Sequence, residues 1–149
     1  MSLDKRDALA RSPLFEMLSP AEIDVLGELS RAVEFRPGDA LVKQGEVGSS
    51  LYVLVSGEVE VLRREAGQDR VLTVLSAPES IGEMSLIDRE VRSATLRAKT
   101  PVFALQLTAE NFASFRKRSR DGFTLFALNV ARVLSARLRE TNKKLASRL

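Results

Sequence analysis

Glu83 and Arg92 are the two residues whose types and spacing suggest a binding chemistry. From Arg92 onward, small or apolar residues alternate with polar ones, which predicts a strand that directs Arg92, Ala94 and Leu96 toward the interior. A guanidinium keeps its charge, so a buried one requires an anion and several hydrogen-bond acceptors beside it. That anion is expected either from the protein or from a ligand.

The residues around Glu83 are suited to a phosphate and a hydroxyl group. Gly82 is predicted to open a short helix-like turn, whose free amides attract anions, and glycine lets a ligand approach the backbone closely. Glu83, just inside the turn, is a good acceptor for sugar hydroxyls. These groups and Arg92 suit a molecule with one anionic phosphate and one free hydroxyl. An internal Glu83–Arg92 ion pair without a ligand explains the same residues equally well.

The composition excludes much catalytic chemistry. The 149 residues include no cysteine and no histidine. Thiolate catalysis, disulfides, cysteine-ligated zinc, iron–sulfur clusters and histidine-ligated metal or haem are therefore excluded. No Asp-rich loop indicates an oxygen-only cation site. We expect no cofactor, no metal site and no enzymatic activity.

The chain is expected to form one domain, residues 1–149, in three consecutive parts. Residues 1–32 have the pattern of N-terminal helices. Residues 33–107 contain short β-rich runs separated by six of the eight glycines, which is typical of an antiparallel sandwich or barrel. Residues 108–149 are predicted to be helical again. The expected fold class is therefore mainly β with flanking α.

Capping residues mark the expected helix starts. Ser19, followed by Pro20 and Glu22, predicts an N-cap with a capping box. Thr108 is predicted to cap a short helix, and Asp121 to open a long one. A leucine stripe at near-heptad spacing on the long helix predicts either a homodimer or packing on the chain's own sheets. The stripe comprises Leu134, Leu138, Leu145 and Leu149.

Charge is distributed unevenly along the chain. Residues 1–115 contain 13 Lys and Arg against 18 Asp and Glu, a net charge of −5, and residues 116–149 contain 10 against 2, a net charge of +8. The basic end is suited to nucleic acid, an anionic membrane or an acidic partner, or it is a solvated helix face. No apolar run is long enough to span a membrane and no secretory signal is present, so the cytoplasm is the expected compartment.

The segment around Glu83 and Arg92 resembles the phosphate-binding cassette of cyclic-nucleotide-binding domains. Gly82-Glu83-Met84-Ser85-Leu86 and Arg92-Ser93-Ala94-Thr95 match that cassette in residue type and spacing. Residues 35–39, 44–46 and 51–59 look like the early strands and turns of the same family, and the long final helix looks like its hinge helix. One position departs from the pattern, because Val91 stands where many members have proline.

The resemblance implies both a fold and a set of ligand contacts. The fold is a jelly-roll-like β-barrel with N-terminal helices and a long C-terminal helix. Arg92 is expected to bind the cyclic phosphate, assisted by the Ser93 hydroxyl and the backbone of Ser93 and Ala94. Glu83 is expected to accept a hydrogen bond from the ribose 2′-hydroxyl, and Gly82 to supply a backbone amide.

The resemblance suggests four further contacts. Leu72, Leu75 and Ile81 are expected to form apolar walls near the purine, although a plain core role accounts for them equally well. Arg137 on the final helix is a candidate to cover the base, since a guanidinium stacks on a purine face. The alternative is that Arg137 belongs to a solvated basic face.

The implied function is that of a non-catalytic cyclic-nucleotide receptor, with cAMP preferred to cGMP, whose C-terminal helix moves on ligand binding. The best-known bacterial members are regulators of the catabolite activator type, in which a winged helix-turn-helix follows the long helix. This chain stops at Leu149, where that module would begin, so sequence-specific DNA binding is not expected of it. A barrel that has lost ligand binding and only dimerises is the alternative. The sequence does not identify a downstream effector.

Overall fold

The computed structural model describes residues 4–83, 86 and 91–147. Helices lie at both ends of the described part of the chain. Before the sheets lie α1 (Lys5–Ala10), a 3₁₀ turn (Pro13–Phe15) and α2 (Pro20–Leu29). After them lie α3 (Ala109–Arg118) and α4 (Arg120–Ala146). Met84 and Ser85 of the cassette-like segment, and Leu149 of the leucine stripe, lie outside the described residues.

Between these helices the described residues form eight strands. They are β1 (Arg31–Phe35), β2 (Ala40–Val42), β3 (Ser50–Ser56), β4 (Glu58–Glu65), β5 (Gln68–Ser76), β6 (Ser80–Ile81), β7 (Thr95–Ala98) and β8 (Val102–Thr108). The first strand begins at Arg31, slightly before the expected boundary at residue 33, because Arg31 already pairs with Gln106 of β8.

The strands form two antiparallel sheets whose order produces the predicted fold. One sheet has the order β1-β8-β3-β6 and the other the order β2-β7-β4-β5. Each sheet therefore alternates strands from the first four (β1–β4) and the last four (β5–β8), as in a double-sheet jelly roll of eight strands. The fold class expected from the sequence, mainly β with flanking helices, is confirmed.

Two helix starts follow the sequence prediction. The Ser19 hydroxyl accepts a hydrogen bond from the Glu22 amide at 3.2 Å, and the Glu22 carboxylate accepts one from the Ser19 amide at 2.8 Å. Thr108 and Asn111 form the same reciprocal arrangement at the start of α3. Each capping box satisfies two amides that lack a partner within the helix.

The start of α4 differs from the prediction. The helix begins at Arg120 rather than at Asp121, because the Ser119 hydroxyl accepts a hydrogen bond from the Gly122 amide at 3.2 Å. Ser119 therefore supplies the N-cap. Asp121 lies in the first turn, where its negative charge interacts favourably with the helix dipole.

Two apolar clusters hold the sheets and helices together. The first joins the helices to β3 and β8 and includes Leu9, Leu14, Phe15, Ile23, Leu26, Leu51, Val53, Leu105, Leu107, Phe112, Phe115, Phe126 and Val130. The second lies between the two sheets and comprises Leu41, Leu54, Val59, Ile81, Ala98, Val102 and Ala104. Alternate residues of β3 and β8 point into different clusters, as the period of a strand requires.

The buried side chains of α4 lie in its first half. Phe126 and Val130 are buried, and the Asn129 amide donates hydrogen bonds to the carbonyl oxygens of Leu14 at 3.1 Å and Glu16 at 2.8 Å. In the second half of the helix, every residue from 135 to 147 is exposed. Among the described helices, none is sufficiently long and apolar to cross a membrane.

Candidate functional site

Arg92 lies just before β7 rather than inside a strand. The strand begins at Thr95, so the predicted strand start at Arg92 is wrong by three residues. The backbone of Arg92 pairs instead with the turn after β2, since its amide donates to the Glu46 carbonyl at 2.7 Å and its carbonyl accepts from the Gly45 amide at 2.9 Å. The side chain nevertheless points inward and is 9% exposed.

Two glycines provide the space that the Arg92 side chain occupies. A Cβ atom at Gly48 would overlap the Arg92 guanidinium. A Cβ atom at Gly82 would lie 2.5 Å from the Ser50 carbonyl oxygen and 2.7 Å from Nη1 of Arg92. Gly82 also has a φ of +98°, in the left-handed region that favours glycine. The sequence pattern assigned Gly82 to the site but missed Gly48, whose role depends on a residue 44 positions away.

The Arg92 guanidinium is buried without a complete set of partners. Its Nη2 donates to the Ser50 carbonyl oxygen at 3.1 Å, whereas its Nε is buried and has no partner among the described residues. Burial lowers the pKa of Arg92, and the nearby Tyr52 and Glu83 oppose that effect. Among the described residues no carboxylate forms an ion pair with Arg92. Such a group requires an anion.

Glu83 is paired with a residue that the sequence pattern did not connect to it. Its side chain is almost fully buried, and its Oε1 accepts a hydrogen bond from Nη1 of Arg137 on α4. Its Oε2 is buried and has no partner among the described residues. Glu83 therefore forms its ion pair with Arg137, and the internal Glu83–Arg92 ion pair considered from the sequence is not formed in the described part of the chain. Oε2 is an acceptor that a ligand hydroxyl would satisfy.

A cavity of about 550 Å³ lies beside Arg92 and brings most of the candidate residues together. This volume is in the range of small-molecule sites. The candidates that line it are Leu75, Ile81, Gly82, Glu83, Arg92, Ser93, Ala94 and Arg137. Three further apolar residues line its wall: Val61, Val91 and Leu96. Of these, the sequence pattern predicted only that Leu96 points inward.

Leu72 is the one candidate that does not line this cavity. The pairing of β4 with β5 shifts register here, so that Val71 pairs with Leu62 and Thr73 pairs with Val61. Leu72 falls at this irregularity and is about half exposed. A bulge changes the direction of the side chains around it, and periodicity alone does not predict its position.

Leu75 and Ile81 belong to the core and also line the cavity, so neither of the two roles that the sequence left open excludes the other. Ile81 belongs to the cluster between the sheets and Leu75 packs against that cluster. Both residues also line the cavity beside Arg92. Their apolar side chains therefore form a wall that is continuous with the core.

The site combines groups that suit ligand binding. It offers a buried cation, a buried carboxylate oxygen without a partner among the described residues, and apolar walls. The sequence contains no histidine or cysteine to serve as a base or thiolate nucleophile beside them. The arrangement fits a ligand with one anionic group, one hydroxyl and one apolar ring.

Comparisons with known proteins agree with this chemistry. A family model described as "Cyclic nucleotide-binding domain" matches residues 32–119. The "Cyclic AMP receptor protein" of Thermus thermophilus is 36% identical over 135 residues, which cover 90% of this chain and 61% of that protein. The "CRP-like cAMP-activated global transcriptional regulator" of Mycobacterium tuberculosis is 30% identical over 141 residues, which cover 94% of this chain and 61% of that protein.

A solved structure has the same fold. The N-terminal domain of a transcriptional regulator from Streptomyces coelicolor is 34% identical and superposes with a TM-score of 0.80. The match covers 93% of this chain and 95% of that domain. The chain spans about three fifths of the length of the two curated relatives described above.

Proposed function

Because the chain belongs to the cyclic nucleotide-binding domain family, we propose that it is a non-catalytic receptor that binds a cyclic nucleotide in the cavity beside Arg92. The observation that carries this proposal is the buried Arg92 guanidinium, which has an unpartnered Nε and no carboxylate partner among the described residues. A cyclic phosphate has one negative charge and several acceptor oxygens, so it supplies what this guanidinium lacks.

The proposed contacts follow the geometry of the cavity. Arg92 binds the phosphate oxygens, and the Ser93 hydroxyl with the backbone of Ser93 and Ala94 assists it. Oε2 of Glu83, buried and without a partner among the described residues, accepts a hydrogen bond from the ribose 2′-hydroxyl. Leu75 and Ile81 contact the purine, since they provide the apolar wall.

We propose cAMP as the preferred nucleotide. Both curated relatives described above are named for cyclic AMP. The wall residues Val61, Leu75, Ile81 and Leu96 are apolar, which favours a base that requires few hydrogen bonds at this wall. Ser93 is exposed, so its hydroxyl is also available for a hydrogen bond to guanine. The affinity for cGMP is therefore the comparison that tests this preference.

The test is a calorimetric titration of the whole chain with cAMP, cGMP and 2′-deoxy-cAMP. We expect cAMP to bind more tightly than cGMP, and 2′-deoxy-cAMP to bind more weakly than cAMP because Glu83 loses its donor. At 100 times the dissociation constant, cAMP should stabilise the fold by about 2.7 kcal/mol. The absence of binding heat and of any rise in Tm at millimolar nucleotide would contradict the proposed function and favour a barrel without a ligand.

We propose that nucleotide binding is transmitted to α4 through Arg137. Arg137 lines the cavity and pairs with Glu83, which is the proposed ribose contact. A nucleotide that bonds to Glu83 therefore changes the surroundings of a side chain on α4. The helix moves only if the ligand has different affinities for its two positions, and that difference sets the extent of the change.

We also propose that the chain forms a homodimer through the second half of α4. Leu138 is 62% exposed and Leu145 is 55% exposed, on a part of the helix that is exposed along its whole length. Leu134 behaves differently, because it packs partly against the core of its own chain. Leu134 is thus engaged with its own chain, and the exposed Leu138 and Leu145 support the proposed dimer.

A further inference from the structure

A second groove lies on the other side of Glu83, between α3, the first half of α4 and Leu86. Its volume is about 820 Å³, which is within the range of small-molecule sites. The apolar floor consists of Phe112, Phe123, Phe126 and Val130. The rings of Phe112 and Phe126 are stacked with their centroids 4.6 Å apart, so the floor is a packed aromatic surface.

The cations of this groove are concentrated at one end. Arg116, Lys117 and Arg120 line it where α3 is followed by α4. None of the three has a carboxylate ion-pair partner in the described part of the chain, whereas the neighbouring Arg118 pairs with Glu28. The Arg116 guanidinium lies over the Phe123 ring, 5.9 Å from its centroid, which holds that cation beside the apolar floor.

The opposite end of the groove is closed by a carboxylate. Glu83 lines this groove as well as the cavity beside Arg92. Its partner Arg137 lies about two turns beyond Val130 on α4, so Glu83 lies toward that end of the groove. Between Arg120 and Val130 the helix rises about 15 Å. Glu83 is already paired with Arg137, so the uncompensated charge of the groove among the described residues is that of the three cations at its other end, and an anion is attracted there.

We propose that this groove is a second ligand site for a small amphipathic carboxylate. The carboxylate lies at the corner formed by Arg116, Lys117 and Arg120, and the apolar body covers Phe123 and Phe126. A medium-length alkyl or aryl chain fits the span between the cations and Glu83. The site is separate from the proposed nucleotide contact at Arg92, which does not line the groove.

The test is a calorimetric titration of the whole chain with decanoate and with decylammonium, which have equal chain lengths and opposite charges. We expect one decanoate per chain and weaker binding of decylammonium. Octanoate should bind about tenfold more weakly than decanoate, because two buried methylenes are lost. Equal binding of decanoate and decylammonium, or equal binding of decanoate and octanoate, would overturn the proposal.

Two double variants that remove charge, and one variant that fills the groove with a larger side chain, test where decanoate binds. Lys117→Gln combined with Arg120→Gln should weaken decanoate binding about fivefold, the scale of two exposed ion pairs. Arg139→Gln combined with Lys143→Gln removes the same charge from the exposed half of α4 and should have no effect. Ala127→Phe, in the groove wall, should abolish binding. An equal loss in both charge variants, or full binding in Ala127→Phe, would place decanoate elsewhere.

Two further measurements distinguish this site from the nucleotide cavity and from a contact between copies of the chain. Arg92→Ala should bind decanoate as the wild type does, whatever its effect on cAMP, so failure of the nucleotide proposal leaves this result unchanged. Sedimentation of the wild type and of Ala127→Phe provides the other control. If Ala127→Phe converted a dimer into a monomer, the groove would be an interface between copies of the chain, and the second-ligand proposal would be wrong.

Discussion

The carboxylate of Glu83 is buried beside the Arg92 cavity, yet its ion-pair partner is Arg137, 54 residues further along the chain on the long C-terminal helix. The Arg137 side chain is 54% exposed and the Glu83 side chain is 5% exposed. One partner is therefore fixed by the core, while the other is on the exposed second half of a helix. This pair connects the proposed ligand site to the element proposed to move.

Arg137→Ala should weaken cAMP binding by about 1 kcal/mol, the scale of a partly exposed cation–π contact. We expect Arg137 to cover the base while remaining beside Glu83. Calorimetric titration of the variant with cAMP measures the effect, and Arg139→Ala, two residues away on the same basic helix, is the control. Tighter binding in Arg137→Ala would contradict this and would mean that Arg137 competes with the ribose hydroxyl for Glu83.

Arg92→Ala should lose most cAMP affinity, because truncating one partner of a buried charged contact costs about 2–5 kcal/mol. The unfolding free energy of the ligand-free variant should change by less than about 1 kcal/mol, since the loss of the Ser50 hydrogen bond is offset by removal of a buried charge. Urea unfolding and calorimetry measure the two quantities, with the exposed Arg70→Ala as control. A large loss of stability would assign Arg92 a structural role.

Local signals in the sequence predicted much of the fold. The Ser19 capping box depends on residues three positions apart, and it forms as expected. Four of the six glycines between the short apolar runs lie in turns or bends next to strands: Gly38, Gly45, Gly57 and Gly67. Arg92 was predicted to be buried because its neighbours alternate in polarity, and it is buried, although the strand itself begins later.

The parts that the sequence did not predict depend on distant contacts or on irregular pairing. Gly48 provides space for Arg92, and Glu83 binds Arg137, and neither relationship has a local pattern. Leu72 was assigned to the cavity wall by its position in the family resemblance. A local register shift, which such a resemblance does not predict, occurs opposite Leu62, and Leu72 does not line the cavity.

Glu22 should contribute stability that is lost in acid. Hydrogen bonds from the Ser19 amide, with smaller contributions from the Ser19 and Ser119 hydroxyls, lower the pKa of Glu22 below its usual 4.5. The ionised form is thus favoured by folding. Its contribution is complete above the unfolded pKa and disappears as the pH falls through the lowered folded value.

The measurement is urea unfolding of the wild type and Glu22→Gln at neutral pH and at steps down to about pH 3. Wild type should be more stable at neutral pH, and the difference should shrink as the pH falls below about 4.5. Glu140→Gln, on the exposed half of α4, is the control. A difference between wild type and Glu22→Gln that stays constant with pH would contradict the prediction.

Self-association through α4 should depend on its exposed leucines. We expect the wild type to sediment with a mass close to that of two chains at concentrations of about tens of micromolar, because the exposed leucines offer an apolar seam to a second copy. Leu138→Glu combined with Leu145→Glu should yield monomers, because a charge at an apolar seam opposes pairing. Lys143→Glu, which also adds negative charge to this part of the helix, should leave the dimer intact. A monomeric wild type would contradict the prediction.

Gly48→Ala should weaken cAMP binding although Gly48 contributes no side chain to the site. The added methyl group would overlap the Arg92 guanidinium, so Arg92 must leave its present position or the turn after β2 must shift. Either change moves the cation by a distance comparable to a bond length, and such a displacement weakens a hydrogen-bonded ion contact strongly. We therefore expect a loss of about 1–3 kcal/mol in affinity, within the range of a damaged charged hydrogen bond.

Calorimetry with cAMP measures this loss, and Gly27→Ala is the matched control, because a Cβ atom there meets its nearest neighbour, Lys5, at an ordinary 3.7 Å. Gly48→Ala combined with Arg92→Ala should bind cAMP no more weakly than Arg92→Ala alone, since the group that the methyl displaces is already absent. If the two losses were instead additive, Gly48 would act through the turn itself and not through the position of Arg92.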